Sequence, residues 1–461
     1  MQCLANVCRA RCERAPDCGD GYACTNDGSC VEATGDRGDI CTSEAECKPG
    51  LACFLSNTTD GPGPLTGSCL DEHSGHIAGA SCMFDTDCRD GTCAMGRCID
   101  LCNTTRDCGV GTACTHIPRV DQGGTGRMFA GCLQATGSIV WNIPVTGPFQ
   151  TVPLAVPESA QSVSIAMRVD DPNQMVGVTH VVDPNGATLV EYSLEPYQST
   201  VRHLPALHQS VLAMPSKPDV TFLAGMYTLA VTSLLPQKDG SLVHGTATPV
   251  VTAVAKLDSS VILDLHFYFL DLTDHPCAAA FDNGLLDAKT AATGTTFKSR
   301  FISALSSYLA ASDVALGSLT YDDISDHPDL DGPALANVDD LLKLGTHAVG
   351  INVFFVRSMS PAGVQAFAPN PGPAGLASTS DVGLQSGVII SLDSLCYESW
   401  EELARLTTRE LARYMGLYNN VEFDGHADPI NDNDQMDPTS NLMYFSEAGG
   451  GTMLSPGQRK I

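Results

Sequence analysis

The sequence is short of basic residues. It contains 25 Lys and Arg against 53 Asp and Glu, which gives a net charge of −28 at neutral pH. Polyanions repel so acidic a chain, which argues against nucleic acid and anionic membranes as partners. The charge favours solubility, divalent cations or a basic partner, and its simplest interpretation is a solvated acidic surface.

Long apolar runs are also missing. No stretch of about 18 apolar residues occurs, so we predict no transmembrane helix. The first residues, MQCLANVCRARCERAPDC, lack the apolar core of a signal peptide. Because so cysteine-rich a chain should be exported, we expect that its leader lies outside this numbering and that the chain is a fragment or a processed form. The length of 461 residues suggests roughly two to four domains.

Cysteine is scarce after Cys132, where only Cys277 and Cys396 follow. The other 18 of the 20 cysteines comprise Cys3, Cys8 and four groups of four. These groups are Cys12, Cys18, Cys24 and Cys30; Cys41, Cys47, Cys53 and Cys69; Cys82, Cys88, Cys93 and Cys98; and Cys102, Cys108, Cys114 and Cys132. An acidic residue precedes the second cysteine of each group, and a glycine turn precedes the third.

Residues 1–135 are therefore predicted to form about four small modules held by disulfides. Modules of this size with few large apolar side chains cannot bury enough surface to fold unaided, and disulfides restrict the unfolded chain instead. Zinc is the rival interpretation, but the regular gaps do not fit paired CxxC ligands. Four cysteines permit three pairings, so connectivity stays open. The modules resemble cysteine-rich repeats of bacterial surface proteins and Dickkopf-type domains, which implies spacing, adhesion or display, or a simple stalk.

Residues 137–259 change character, with short alternating apolar runs between turns. SVSIAMRV places Val163, Ile165, Met167 and Val169 on one face, and DPNG is a turn. Many short strands with turn punctuation predict an all-β sandwich. This stretch resembles the jelly-roll accessory domains that flank secreted bacterial peptidases. We interpret His203 and His208 as ordinary surface or packing residues.

Residues 260–461 interleave strand and helix patterns. SSVILDLHFYFLD, VALGSLTYDD, GINVFFVRSM and SGVIISL are predicted strands, and TTFKSRFISALSSYLAASD has Phe297, Phe301, Leu305 and Tyr308 at helical spacing. This alternation predicts an α/β or α+β domain. Further on, Ser399 and Glu402 form a predicted capping box that begins a helix. Its apolar face is predicted to contain Trp400, Leu403, Thr407, Leu411, Tyr414 and Met415, and Gly416 is predicted to end it.

The segment TTRELARYMGLYN in this helix resembles the zinc motif of the metzincins, secreted zinc metalloproteases with the pattern HExxHxxGxxH and a methionine turn. Glu410, Gly416 and Met443 stand at the family's positions. EFDGHADPIND and LSPGQ are similar to the pappalysin-like bacterial branch. The resemblance implies a metzincin-like domain from about Val261 onward.

The three metal-ligand positions are occupied by Arg409, Arg413 and Asn419. A guanidinium is permanently protonated and has no lone pair to offer, and an asparagine oxygen is a weak donor for zinc. Without the metal, Glu410 has no zinc-bound water on which to act. We therefore expect no catalytic residues and no zinc, and we hypothesise that Arg409 or Arg413 fills the metal position and pairs with Glu410 or a nearby aspartate. In the competing arrangement, both arginines point into solvent.

The downstream loop offers alternative metal ligands. His426, Asp424 and Asp428 could form a relocated zinc site, although no helical histidine pair supports it. Asp428, Asp432, Asp434 and Asp437 offer hard oxygen ligands at close spacing, which suit calcium. In an exported protein, Cys277 and Cys396 are expected to pair and to pin the start of the domain just before the helix.

The sequence thus predicts an exported, multidomain protein with no membrane span: disulfide-rich repeats, a β-sandwich and an α/β metzincin-like pseudo-peptidase. The expected function is binding or structural, at the cell surface or outside the cell, as an adhesion or assembly subunit with a protein partner or by self-assembly. The alternative is an active secreted zinc metalloendopeptidase with an unconventional or relocated metal site.

Overall fold

The computed structural model of the 461-residue chain confirms a multidomain, mostly β architecture with a disulfide-rich N-terminal region. It describes all residues except 1, 5–6, 10–11, 20–21, 25–27, 56–63, 90–91, 121–125, 193–198, 240, 260, 271, 273–274, 278–279, 335–337, 348–349, 369–386, 423–424, 426, 429, 431–436 and 447–449. None of the described helices has the length and hydropathy needed to cross a membrane.

The cysteine-rich region consists of small antiparallel hairpins. Its strands are β1 Gln2–Leu4, β2 Val7–Arg9, β3 Tyr22–Cys24, β4 Cys30–Glu32, β5 Ile40–Cys41, β6 Leu51–Leu55, β7 Gly67–Asp71, β8 Cys93–Ala94, β9 Arg97–Cys98, β10 Thr112–Val120 and β11 Gly126–Gln134. Its 3₁₀ turns are Ala15–Asp17, Glu44–Glu46, Asp85–Asp87 and Thr105–Asp107.

The disulfides predicted for the four modules are confirmed, and the structure settles their connectivity. In every module the first cysteine pairs with the third and the second with the fourth. The bonds are Cys12–Cys24, Cys18–Cys30, Cys41–Cys53, Cys47–Cys69, Cys82–Cys93, Cys88–Cys98, Cys102–Cys114 and Cys108–Cys132. The two bonds of a module interleave along the chain, so each 3₁₀ turn is tied to its hairpin from both ends.

The acidic residue before each second cysteine has a structural role. Asp87 accepts hydrogen bonds from the backbone amides of Met83 and Phe84, both at 2.8 Å. Asp17 and Asp107 each accept from the corresponding pair of amides, and Glu46 accepts from the amide of Thr42. Each carboxylate thus caps the turn that carries the second cysteine, satisfying amides that have no partner within the turn.

The last modules and the following sandwich share one apolar core. Ile117 and Phe129 of the β10–β11 hairpin are fully buried in the same cluster as Ile139 and Trp141. Gly126 lies against Met226, because a Cβ at position 126 would come within 2.4 Å of the Met226 Cβ. A continuous core here holds the hairpin on the sandwich in place of a simple linker.

The β-sandwich is formed by two antiparallel sheets. One has the order β12 Ser138–Ile143, β21 Val250–Lys256, β14 Ser162–Arg168 and β18 Gln209–Met214. The other has the order β13 Phe149–Val156, β19 Gly225–Pro236, β15 Met175–Val182 and β16 Thr188–Glu191, with β17 Ala206–Leu207 on β15 and β20 Leu242–His244 on β19. The predicted inward face of β14 is buried, as period-2 alternation requires.

The C-terminal part contains a five-stranded sheet with helices packed on it. The order is β23 Ala315–Ile324, β22 Ile262–Leu270, β24 Ile351–Val356, β26 Val388–Ser391 and β25 Ala366–Phe367; all pairs are parallel except that of β25 with β26. The helices are α1 Ala288–Thr293, α2 Ser303–Ala310, α3 Val338–Leu342 and α4 Trp400–Tyr414, with a π-helical turn Phe297–Ile302 before α2. Its 3₁₀ turns are Asp282–Gly284, Pro328–Leu330, Leu392–Cys396, Pro438–Ser440 and Gln458–Lys460.

Helices α2 and α4 cover one face of this sheet. Phe267 of β22, Phe297 and Phe301 of the π-helical turn and Trp400 of α4 are fully buried together, with aromatic rings in edge contact. The predicted helical stripe therefore forms, although Tyr308 at its end is only partly buried. This core fixes the start of α4, and with it the position of the candidate site, which begins at Arg409, about two and a half turns further along.

Candidate functional site

Helix α4 begins and ends at the residues that the sequence suggested. The Ser399 hydroxyl accepts a hydrogen bond from the amide of Glu402 at 3.2 Å, which satisfies one of the free amides of the first turn. The reciprocal half of the predicted capping box is replaced, because the Glu402 carboxylate accepts from the Arg405 guanidinium at 2.5 and 2.8 Å. Gly416 follows the helix with φ of +117°, a backbone conformation that side chains disfavour.

The helix is buried on more sides than an amphipathic pattern predicts. Its predicted apolar face packs on the sheet, except that Met415 is 38% exposed, contrary to expectation. The opposite face is covered by the segment that contains Met443, which is fully buried against Ala412, Leu417 and Leu442. This second cover buries polar residues of α4 that would otherwise face solvent.

Arg409 is the central residue of the buried polar face. Its side chain is 2% exposed, and its guanidinium donates to Glu410 Oε1, to Asn419 Oδ1 at 2.9 Å and to the backbone carbonyl of Tyr444 at 3.3 Å. Glu410 is 1% exposed. A charge removed from water to this extent is stable only when it is paired and hydrogen-bonded, and Arg409 meets both conditions.

Arg413 approaches the same carboxylate from one helical turn further on. Its Nη1 lies 3.7 Å from Glu410 Oε1, and about a quarter of its side chain is exposed. Glu410 therefore lies between two arginines. The structure brings together four of the motif positions (409, 410, 413 and 419) and buries the arginine that occupies the first ligand position.

The network continues into the β-sandwich. Asn419 Nδ2 donates to Glu422 Oε2 at 2.9 Å, and Glu422 Oε1 accepts from Arg202 at 2.5 Å. The Arg202 guanidinium lies 4.1 Å from the ring centre of Tyr418, whose hydroxyl donates to the Arg202 carbonyl at 3.1 Å. Burial raises the pKa of Tyr418 to about 12, so this hydroxyl stays protonated and remains a donor at neutral pH.

The charges of this network do not cancel. Three guanidinium groups, of Arg202, Arg409 and Arg413, share two carboxylates, of Glu410 and Glu422. Among the described side chains, the network therefore carries a formal excess of one positive charge in a chain of net charge −28. Arg202 and Glu422 were not predicted as site residues: Glu422 stands three residues after Asn419, but the sequence contains no signal for Arg202, which lies 220 residues before it.

These residues do not fit a zinc ion. A zinc centre needs lone pairs from imidazole, thiolate or carboxylate groups, whereas two of the three ligand positions present guanidinium groups with donors only. The remaining amide oxygen, of Asn419, already accepts from Arg409. Zinc at this position would also face the positive charges of Arg409 and Arg413 at close range.

The methionine segment is held beneath the helix by a backbone hydrogen bond and by the side chain of Asn441. Asn441 Oδ1 accepts from the Met443 amide at 2.8 Å, and the Met443 carbonyl accepts from the Asn420 amide at 3.0 Å. Asn441 Nδ2 in turn donates to Gln458 at 2.9 Å. The turn that contains Met443 is thereby fixed against the segment that carries Asn419, which explains how Tyr444 reaches Arg409.

The candidate calcium ligands are only partly described. Asp428 is buried and accepts from the Ile430 amide at 2.9 Å, and Asp437 is exposed and caps the 3₁₀ turn at Pro438–Ser440. Asp432 and Asp434 lie outside the described residues, as do His426 and Asp424 of the relocated zinc hypothesis. Among the described side chains, groups of three ligand atoms close enough for one ion occur only in the cysteine modules, where the sulfurs are bonded to one another.

Cys277 and Cys396 form a disulfide across 119 residues. Cys396 ends the 3₁₀ turn at Leu392–Cys396, just before the Ser399 cap of α4. The bond therefore ties the segment after β22 to the start of the helix. No free cysteine is present among the side chains that the structure describes.

Comparison with known proteins does not assign a family. No family model matches the chain, and no curated protein matches it. Among solved structures, a family two carbohydrate esterase from Cellvibrio japonicus aligns with 10% identity over 67% of this chain and 96% of its own, with a TM-score of 0.12. So low a score carries no argument about fold or function.

Proposed function

We propose that this chain is an extracellular or cell-surface binding or structural protein, built on a metzincin-like domain in which a buried arginine has replaced the metal. The observation that carries the proposal is the position of Arg409, held by Glu410 and Asn419 above the turn that contains Met443. In the metzincin pattern, positions 409, 413 and 419 converge on zinc and Met443 stands in the turn below. Here a guanidinium supplies a positive charge between the same positions.

Two further features support this proposal. Glu410, Gly416 and Met443 keep the family's spacing, and strands and helices precede α4 in the order that the resemblance implies. The disulfides are typical of oxidising compartments, which supports export. A helix that keeps its packing residues while its metal ligands change is consistent with a fold retained for binding, for example capture of a peptide segment, or for assembly and adhesion.

Elemental analysis of the purified chain, without added metal, is the first test. We expect no zinc; calcium is measured in the same sample to test the aspartate loop. Zinc close to one ion per chain would contradict the proposal. It would favour the alternative, an active metalloendopeptidase with the relocated ligands His426, Asp424 and Asp428.

A triple variant tests the inferred ancestry of the site. Arg409→His/Arg413→His/Asn419→His restores the metzincin ligands, and we expect it to bind about one zinc per chain with an affinity measurable by competition with a chromogenic chelator. The matched control, Arg409→Gln/Arg413→Gln/Asn419→Gln, removes the same charges without adding imidazoles and should bind none. If the histidine variant folds and takes up no more zinc than the control, the geometry is not that of a former zinc site.

A further inference from the structure

An apolar cavity of about 280 Å³ lies where the end of the sandwich meets the C-terminal part of the chain, and none of the residues of the Arg409 network lines it. Its lining comes from the end of β21, the start of β22, the end of α2, the last turns of α4 and the C-terminal 3₁₀ turn. Five buried apolar residues form its floor: Leu309, Ala412, Leu417, Leu442 and Leu454. Binding sites for small molecules are commonly found in such clefts between domains.

The polar residues that line the floor are already bonded within the protein. The Thr408 hydroxyl donates to the Ala404 carbonyl at 2.7 Å, and the Ser312 hydroxyl donates to the Tyr308 carbonyl at 3.3 Å. Gln458 Oε1 accepts from Asn441 and from the Ser455 amide, both at 2.9 Å. A sugar or another polar ligand would therefore lose its hydrogen bonds to water with little in exchange, whereas an alkyl chain would lose nothing.

The rim of the cavity differs from the floor. Apolar side chains are exposed there: Val261 is 56% and Ile262 63% exposed. Among the described residues, three cationic side chains, of Lys256, Arg459 and Lys460, line the same rim against one acidic side chain, of Asp313. A local excess of positive charge is unusual in a chain with 25 basic and 53 acidic residues.

We propose that this cavity binds a straight-chain alkyl carboxylate of medium length, with the alkyl chain on the leucine-lined floor and the carboxylate at the basic rim. The inference does not depend on the proposed function. The volume admits roughly nine groups of the size of a water molecule, which corresponds to about eight to ten carbons. The exposed apolar residues at the rim provide the entry, and charge complementarity selects an acid over an alcohol.

Titration calorimetry of the whole chain with hexanoate, octanoate and decanoate tests the apolar floor. We expect affinity to rise about tenfold for each two added methylene groups until the cavity is full. Octan-1-ol should bind more weakly than octanoate. Absence of binding, or equal affinity for the acid and the alcohol, would overturn the proposal. Filling the floor with Ala412→Leu should weaken decanoate binding, and if that variant fails to fold, the ligand series still decides.

Charge reversal tests the rim. Arg459→Glu/Lys460→Glu should weaken octanoate binding about tenfold or more, because an acid then faces an acidic rim. The matched control, Lys238→Glu/Lys289→Glu, makes the same change in net charge at two exposed lysines outside the cavity and should leave the affinity unchanged. Equal losses in both variants would mean a non-specific charge effect and would refute the site. Sedimentation that shows the chain dimerising through this face, with octanoate unbound, would identify a second copy as the occupant and refute it as well.

Discussion

Replacement of Arg409 by methionine should destabilise the C-terminal part of the chain strongly. Methionine has a long side chain like that of arginine but carries no charge, so Glu410, which is 1% exposed, loses its buried partner. The substitution also removes the hydrogen bonds to Asn419 and Tyr444. Breaking a buried ion pair in this way costs about 3–5 kcal/mol. Because Arg413 stays 3.7 Å from the same carboxylate oxygen, we expect the lower end, about 3 kcal/mol.

The assay is urea unfolding followed by the fluorescence of Trp400, in a Trp141→Phe background that leaves this one tryptophan at the start of α4. Arg300→Met is the matched control, because Arg300 pairs with Glu401 of the same helix but both side chains are nearly half exposed. A surface pair of this kind contributes about 0–1 kcal/mol.

A second substitution distinguishes the cost of the unpaired Glu410 charge from the cost of altered packing at position 409. Glu410→Gln in the Arg409→Met background removes the uncompensated charge, and we expect it to restore at least half of the lost stability. If Arg409→Met and Arg300→Met lower the free energy of unfolding by amounts that agree within about 0.5 kcal/mol, the buried pair does not stabilise the site as argued.

Three further predictions concern other parts of the molecule. Burial lowers the pKa of His203 to about 4, so the free energy of unfolding of the sandwich should fall by about 3 kcal/mol as the pH drops from 6.5 to 4. Urea unfolding of His203→Gln should show no such fall, whereas the control His244→Gln, at an exposed histidine, should still show it. Cys277→Ser/Cys396→Ser opens a loop of 119 residues and should cost about 5 kcal/mol in chemical unfolding. Asp87→Ala should speed hydrogen exchange at the backbone amides of Met83 and Phe84, because both amides donate to the Asp87 carboxylate. The same bonds lower the pKa of Asp87, and in the wild type these amides should exchange faster once the pH falls below that lowered pKa.

In the cysteine modules, the local sequence pattern predicts the disulfide framework but not its connectivity. Spacing alone predicts a disulfide framework, because segments so poor in apolar residues cannot fold otherwise. The pairing of first with third and second with fourth cysteine required the hairpins, which bring Cys53 opposite Cys69 on neighbouring strands while each bonds elsewhere. The acidic residue before the second cysteine was visible as a repeat, but its role as a cap emerged only from the bonds it makes.

The same division holds for α4 and its surroundings. Serine at the cap, glycine after the last turn and the apolar spacing between them predict the helix, since those preferences act within a few residues. The prediction that Met415 lies on the buried face is wrong, because helical periodicity does not indicate how far along the helix the neighbouring elements cover it. Strand β25, two residues long, is too short to produce a pattern.

The sequence by itself determined the module framework, the alternation of the sandwich strands, the limits of α4 and the loss of every histidine at the three ligand positions. Those properties depend on residue chemistry and on spacing within one element. Only the tertiary structure decided that Arg409 is buried, since that requires the Met443 segment to cover the second face of the helix, and that Arg202 joins the network from 220 residues away. Burial and long-range pairing depend on which surfaces meet, and no local pattern contains that information.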